Sequence, residues 1–357
     1  MNSRQRVCKA LRFETSDRIP RDLWAVPAIG MSRPGELAEV LRRYPSDIVL
    51  PLDTAGTALS GLASSLRPQD STGLMFAYGA AERASGVAFL RGAYVDEWGC
   101  TWEVGEDGVA GEVKHPPLAD WRALDGLKPP WEVLEGANWD AVNRICAQTD
   151  KFVLTPWHID PFERMQFLRG TEALLADLAW GTAEVLRLRD LVHEFHLREI
   201  ERWCLTDIDA IRVADDWGAQ TSLLVSPAMW REYFKPLYAD YIRLTRAAGK
   251  FAFFHSDGHI TPIIPDLIEL GVQALNSQLF CMDIEALARQ HKGQLTFWGE
   301  IDRQWVLPYG QPDDVRAAVR RVRRALDDGR GGVIAQLEWG KDVPRANVEA
   351  AYEAWLE

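Results

Sequence analysis

The 357-residue sequence lacks a glycine-rich phosphate loop: neither GxGxxG nor GxxxxGK[ST] occurs, which argues against a doubly wound nucleotide-binding sheet. It also has no CxxC pair. Its five cysteines, Cys8, Cys100, Cys146, Cys204 and Cys281, lie far apart, which fits reduced thiols and excludes a local zinc knuckle. No apolar segment approaches a membrane-spanning length, and the charged start Met1-Asn-Ser-Arg-Gln-Arg has no apolar signal core, so the expected location is cytoplasmic. Positive charge is short as well. With 52 acidic residues against 40 basic ones, the net charge is -12, which argues against nucleic acid and anionic membranes as partners. The basic run Arg316 to Arg324 has the spacing of a solvated helix face. Low-complexity stretches, internal repeats and Ser/Gly linkers are missing too.

What is present is core-forming residues and tryptophan. A hydrophobic content of 47% is enough for a substantial core. Among 15 tryptophans, Trp157, Trp217 and Trp339 each stand beside His158, Asp216 or Glu338. There they can pack as core or wall a cavity for a flat or apolar substrate. Ser3 to Phe13 reads as a short amphipathic helix, and residues 60 to 135 are the least regular, with turns between Gly105 and Gly111 and at Pro116-Pro117. Beyond residue 150, short apolar strands alternate with amphipathic helices. The strands are Phe152 to Pro156, Ala210 to Ala214, Phe251 to Phe254, Ala274 to Leu275, Leu295 to Trp298 and Val333 to Leu337. Between them lie Ala173 to Cys204, Pro227 to Ala248, Thr261 to Leu270 and Pro312 to Leu326. With Asp47 to Leu52 and a strand near Leu23, about eight strand-helix units are available. This pattern predicts an α/β fold, a (β/α)8 TIM barrel forming a single domain over residues 1 to 357, with an irregular N-terminal excursion.

Catalytic groups in such a barrel come from the C-terminal ends of several strands. Here those ends offer Asp53, His158, Asp215-Asp216, His255 with Asp257, Asn276 with Gln278, Glu300 with Asp302, and Glu338. In Phe251-Ala-Phe-Phe-His255-Ser256-Asp257 a buried strand delivers an imidazole and a carboxylate two residues apart, so both face one side. Together with Glu338, His255 and Asp257 form a candidate facial ligand set for zinc or another divalent metal. The alternative is a metal-free acid/base cluster in which crowded carboxylates keep a proton available. Asp215, Asp216, His158 and Glu300 are candidate catalytic residues that position substrate. Trp157, Trp217, Asn276, Gln278 and Trp339 are candidate substrate contacts. One of Asp215 and Asp216 should point into the mouth and the other away. Neither has an evident capping role, since Ser226 suits the next helix better. Asp160 is a candidate cap for the helix after it, Glu300 and Asp302 are expected to share a face, and His193 and His196 read as solvated.

Several longer segments carry a family resemblance: Ser3-Arg-Gln-Arg-Val to Asp17-Arg18-Ile19-Pro20, Asp96-Glu-Trp-Gly99, Phe162-Glu-Arg through Leu168-Arg-Gly170, and Asp215-Asp216-Trp-Gly218 with Ser226 to Arg231. His255-Ser-Asp-Gly-His-Ile-Thr261 through Gly271, Gly299-Glu-Ile-Asp302 and Val343 to Val348 complete the set. The chain resembles the uroporphyrinogen decarboxylase superfamily, which implies a (β/α)8 barrel. The decarboxylase itself grips porphyrinogen carboxylates through an arginine-rich N-terminal motif, whereas this chain reads Trp24-Ala-Val-Pro-Ala-Ile-Gly-Met there. It is therefore more similar to the corrinoid-linked methyltransferase and demethylase branch. That branch holds zinc through a His-x-Cys pair and a later cysteine. His255 falls on the histidine, Asp257 stands where the first cysteine would be, and Glu338 lies near the second. The resemblance implies a metal-dependent methyltransferase or demethylase acting on a small oxygen-bearing substrate. Its expected partners are that small molecule, a corrinoid protein and a second copy of the chain in a homodimer. The alternatives are a metal-free carboxy-lyase of the uroporphyrinogen decarboxylase type and a non-catalytic carrier of a corrinoid or other small ligand.

Overall fold

A computed structural model describes residues 1–51, 76, 78–156 and 159–357. In chain order the strands are β1 (Arg21–Ala25), β2 (Ile48–Val49), β3 (Gly92–Val95), β4 (Thr101–Val104), β5 (Glu112–His115), β6 (Phe152–Val153), β7 (Ala210–Ala214), β8 (Phe251–Ser256), β9 (Ala274–Ser277), β10 (Thr296–Trp298) and β11 (Val333–Trp339). Six form a curled parallel sheet in the order β1-β11-β10-β9-β8-β7, while β2 and β6 make a parallel pair. Two links join this pair to the sheet's edges: Asp47 N donates to Arg21 O at 2.8 Å, and Leu154 bridges Ala210 in parallel. β3, β4 and β5 form a separate antiparallel sheet within the irregular region, and the turn expected between Gly105 and Gly111 is the β4–β5 hairpin.

Two helical stretches that read as continuous are broken, each for a local reason. The first divides into Thr171–Trp180 and Ala183–Cys204 at Gly181, whose φ of 66° is left-handed, and Thr182 then caps the second helix by accepting from Val185 N at 3.4 Å. The second divides into Pro227–Tyr233 and Lys235–Ala247. Pro236 has no N–H for the earlier turn and disfavours helical geometry just before it. His196, expected in solvent, is 1% exposed and pairs with Glu199 at 3.1 Å.

The period-two pattern of the strands sorts their side chains between two cores. Ile48, Phe152, Leu154, Ala210, Phe253, Ala274, Trp298 and Ile334 pack together on one side with Val7 and Leu11 of the helix Ser3–Leu11. Ile211, Val213, Phe254, Leu275, Phe297, Ala335 and Leu337 belong to the second core, with the surrounding helices. The Ser3–Leu11 helix is bonded to the strand beginnings: Ala10 O accepts from Gly332 N at 2.8 Å and from Thr296 Oγ1 at 3.3 Å.

Asp47 fixes this end of the molecule. Fully buried, it accepts from Arg6 Nη1 at 2.6 Å, from Arg18 at 2.6 and 2.9 Å, and from Arg21 N at 2.8 Å. It thereby ties the first helix, β1 and β2 into one unit. Asp47→Ala removes the buried carboxylate shared by Arg6, Arg18 and the Arg21 amide, leaving Arg6 with Asp17 as its carboxylate partner, and is expected to cost about 3 kcal/mol in urea unfolding. A loss below about 1 kcal/mol would mean that Arg6 and Arg18 behave as exposed surface charges.

Candidate functional site

Because β7 and β8 pair in register with Ala214 opposite His255, the residues just past both strands meet. Two glycines let them do so. A Cβ on Gly218 would lie 2.5 Å from Asp257 O, and one on Gly258, whose φ is +74°, would lie 2.2 Å from Gly218 O. This close approach lets Gly218 N donate to Asp257 O at 3.1 Å and Asp257 N donate to Asp216 Oδ1 at 2.8 Å. Asp216 and Asp257 are thereby gathered around His255, whose Nε2 is 3.4 Å from Asp216 Oδ1 and 3.7 Å from Asp257 Oδ1. One potential ligand atom from each of the three lies within 4.8 Å of the others. Asn276 sets the ring from behind: its Oδ1 is 2.6 Å from His255 Nδ1, and its own amide donates to Trp298 O at 2.5 Å. This directs Nε2 at the carboxylates.

Arg303 brings in the next two strand ends. It bonds Asp257, donates to Glu338 Oε2 at 2.8 Å and places Nε 3.5 Å from Glu300 Oε2. Glu338 is thus held by Arg303 and stands outside the Asp216/His255/Asp257 group, a correction to the expected His255/Asp257/Glu338 triad; its place is taken by Asp216. Arg303 is the principal residue that the sequence reading passed over. The available signal was a cation three residues beyond Glu300, on a turn that immediately follows a strand.

Burial opposes charge on His255, but Asp216, Asp257 and Asn276 outweigh it and raise its pKa. Asp216 is only partly exposed, and desolvation opposes its charge, yet His255, the Asp257 amide and Arg303 hold its carboxyl below the ordinary range. Glu300 is 2% exposed, and burial pushes it up to about 8, helped by Asp257 and Glu338 and resisted by Arg303. Burial also raises Glu338. Glu163, another residue missed in the sequence, is driven well above the carboxylate range by burial and then by Asp216 and Asp215. The site therefore sets Asp216, held toward its ionised form, near Glu300, an acid that keeps its proton near neutral pH.

The remaining sequence candidates are scattered. Asp215 is fully buried and caps the helix Pro161–Arg169, accepting from Phe162 N at 3.0 Å, Glu163 N at 2.9 Å and the Tyr238 hydroxyl at 2.6 Å. It has the capping role that was not evident, and Asp160, the expected cap, makes no such bond. Trp217 lies in the core, stacked on Phe162 with ring centroids 3.9 Å apart. Trp339 is likewise core and donates to Val343 O at 3.0 Å. Neither can wall a cavity. Gln278 accepts from Gly258 N at 2.9 Å and lines a cleft with Glu300 and Arg303. Glu300 and Asp302 lie beyond β10, which ends at Trp298, and both line that cleft; Asp302 also caps a turn by accepting from Gln304 N and Trp305 N, both at 2.9 Å. Asp53, Trp157 and His158 lie outside the described residues.

Residues 94–356 match the family described as uroporphyrinogen decarboxylase (URO-D). The chain belongs to this family. Among solved structures, a methyltransferase from Methanosarcina mazei superposes with a TM-score of 0.68 at 17% identity, covering 99% of this chain and 98% of its own. At that identity the likeness concerns the fold. A xylanase from Gloeophyllum trabeum (TM-score 0.39, 11% identity, 62% of this chain and 81% of its own) and a D-psicose 3-epimerase (0.37, 13%, 61% and 82%) are too distant to inform the site. No curated protein matches the sequence.

Within this member of the URO-D family, Glu300 makes stability depend on pH in a defined direction. The folded protein keeps its proton up to about pH 8, while the unfolded chain releases it near the ordinary 4.5. Between those values the folded state binds more protons, so stability falls as pH rises, by at most about 1.4 kcal/mol per unit. Glu300→Gln abolishes this titration. Its Tm relative to the parent protein should therefore climb from about pH 5 to pH 8 and then level off. A Tm difference independent of pH would show that Glu300 ionises as it does in water.

Proposed function

We propose that this chain is a closed (β/α)8-barrel enzyme of the methyltransferase-like branch of the URO-D family, acting on a small oxygen-bearing substrate at the Asp216/His255/Asp257 cluster. The two linked strands β2 and β6 would complete the ring begun by the six-stranded sheet. The observation that carries the reading is the convergence of one imidazole and two carboxylates at adjacent strand ends, in place of an arginine clamp. A polycarboxylate such as a porphyrinogen would meet Asp216, Asp257 and Glu338 there, while Arg303 is already engaged by the protein's own acids.

The donor set fits a divalent ion. Asp257 Oδ1 is buried and accepts no hydrogen bond, and the His255 and Asp216 ligand atoms lie within 4.8 Å of it and of each other. Asp216, His255 and Asp257 would hold the ion, with oxygen donors favouring a harder site than thiolates would make. When bound, such an ion polarises a substrate oxygen as a Lewis acid. The rest of the chemistry belongs to the chain. Asn276 fixes the imidazole, Arg303 fixes Asp257 and Glu338, and Glu300 holds a proton that it can donate to the substrate oxygen near neutral pH. A corrinoid protein is the partner that this reading implies.

A second reading rests on the same proton. In a metal-free lyase, Glu300 would protonate the carbanion left after loss of carboxylate. Calorimetric titration with Zn2+ and Mn2+, together with elemental analysis of the purified protein, separates the two. Asp216→Asn, His255→Ala and Asp257→Asn are each expected to weaken ion affinity at least about tenfold, and Glu338→Gln by no more than about twofold. Unchanged affinity in all three of the first variants overturns the metal assignment and leaves the lyase.

A further inference from the structure

Between the ends of β9 and β10 lies a cleft of about 40 Å³ lined by Gln278, Phe280, Cys281, Glu300, Arg303 and Trp305. Two features of its wall are unexplained by the cluster next to it. Glu300 Oε1 is buried and has no hydrogen-bond partner, although its side chain is 2% exposed. An orphan oxygen of this kind destabilises the fold unless something else satisfies it. The other is Trp305, which lines the cleft and is 68% exposed, its ring centroid 6.2 Å from that of Tyr309.

Trp305 is held in place. Its amide and that of Gln304 are both capped by Asp302, Leu307 N donates to Asp302 O at 2.8 Å, and Asn347 donates to Leu307 O and Gly310 O, each at 2.8 Å. A large indole carried into water on a fixed backbone, beside an unsatisfied carboxyl, is the form of a half-built aromatic site. The cleft's size sets a further limit. At about 40 Å³, where one water needs roughly 10 to 15 Å³ on the same measure, it takes a polar group of a few water-sized atoms. The rest of the ligand must lie over Trp305. Charge narrows the choice again, because Asp257 and Glu338 repel an anion and Arg303 is bonded to both.

We propose that this cleft is the substrate subsite and takes a planar, uncharged ring carrying one oxygen acceptor, with Trp305 stacked on the ring and the Glu300 carboxyl bonded to that oxygen. The proposal rests on reading the neighbouring cluster as the active site. Its test uses the intact protein with phenol, cyclohexanol and benzoate as probes, followed by ligand-observed NMR and calorimetry. Phenol should bind saturably and more tightly than either of the others. Trp305→Ala, a change at an exposed position, should weaken phenol about five- to tenfold, and Trp305→Phe should restore it to within about twofold. Equal phenol affinity in Trp305→Ala and the parent, benzoate binding as tightly as phenol, or no saturable phenol binding would each overturn it. Metal titration of the same samples reads the other assignment separately. Phenol binding without ion binding keeps the subsite and removes the metal, and the reverse removes the subsite.

Discussion

The guanidinium of Arg303 lies against carboxylates from three strand ends: Asp257 beyond β8, Glu300 beyond β10 and Glu338 within β11. Without a cation there, these acids would repel one another in a region from which water is largely removed, where Coulomb interactions are strong. Arg303 allows Asp257 to stay close to His255 and Asp216, and it lets Glu338 sit at the edge of the group without joining it. The planar fork of arginine matters here, since it can address separate carboxylates in different directions, which a lysine ammonium on a flexible stem does less well.

Around that contact, neighbouring acids are driven apart in behaviour. Asp216 is held ionised by His255 and an amide, while Glu300 and Glu163 are pushed toward the protonated form. Separating the proton affinities of adjacent carboxyls is how one site can hold both a ligand or base and an acid at the same pH. Where the family resemblance leads one to expect a thiolate, the sequence has Asp257. The change goes beyond ligand softness, because a carboxylate can accept from Arg303 on one oxygen and keep the other facing His255, whereas a thiolate has only one donor atom.

Local features of the fold were legible in the sequence. The runs Ala210 to Ala214 and Phe251 to Phe254 became β7 and most of β8, because short apolar runs between turns form buried parallel strands. The positions of His255, inside β8, and Asp257, just beyond it, follow from the same apolar run. What escaped depended on contacts distant in sequence. Asp215 caps a helix that begins more than 50 residues earlier, and no spacing rule reveals such a partner. Trp217 and Trp339 stand beside polar residues in sequence, yet the strand-end geometry turns them into the core. Arg303 was hidden because its role is set by three acids that only the tertiary fold assembles.

The helix Ser3–Leu11 bears on how the molecule is made. Val7 and Leu11 rest on Phe253, Ala274, Trp298 and Ile334, and Ala10 is bonded to Thr296 and Gly332. The same cluster holds Ile48, Phe152 and Leu154 from the earlier part of the chain, so the helix spans contacts of very different sequence separation. It can settle on β2 and β6 first, and the rest of its apolar stripe is covered only when β8 to β11 are in place. Loosening this one helix therefore uncovers both halves of the sheet together.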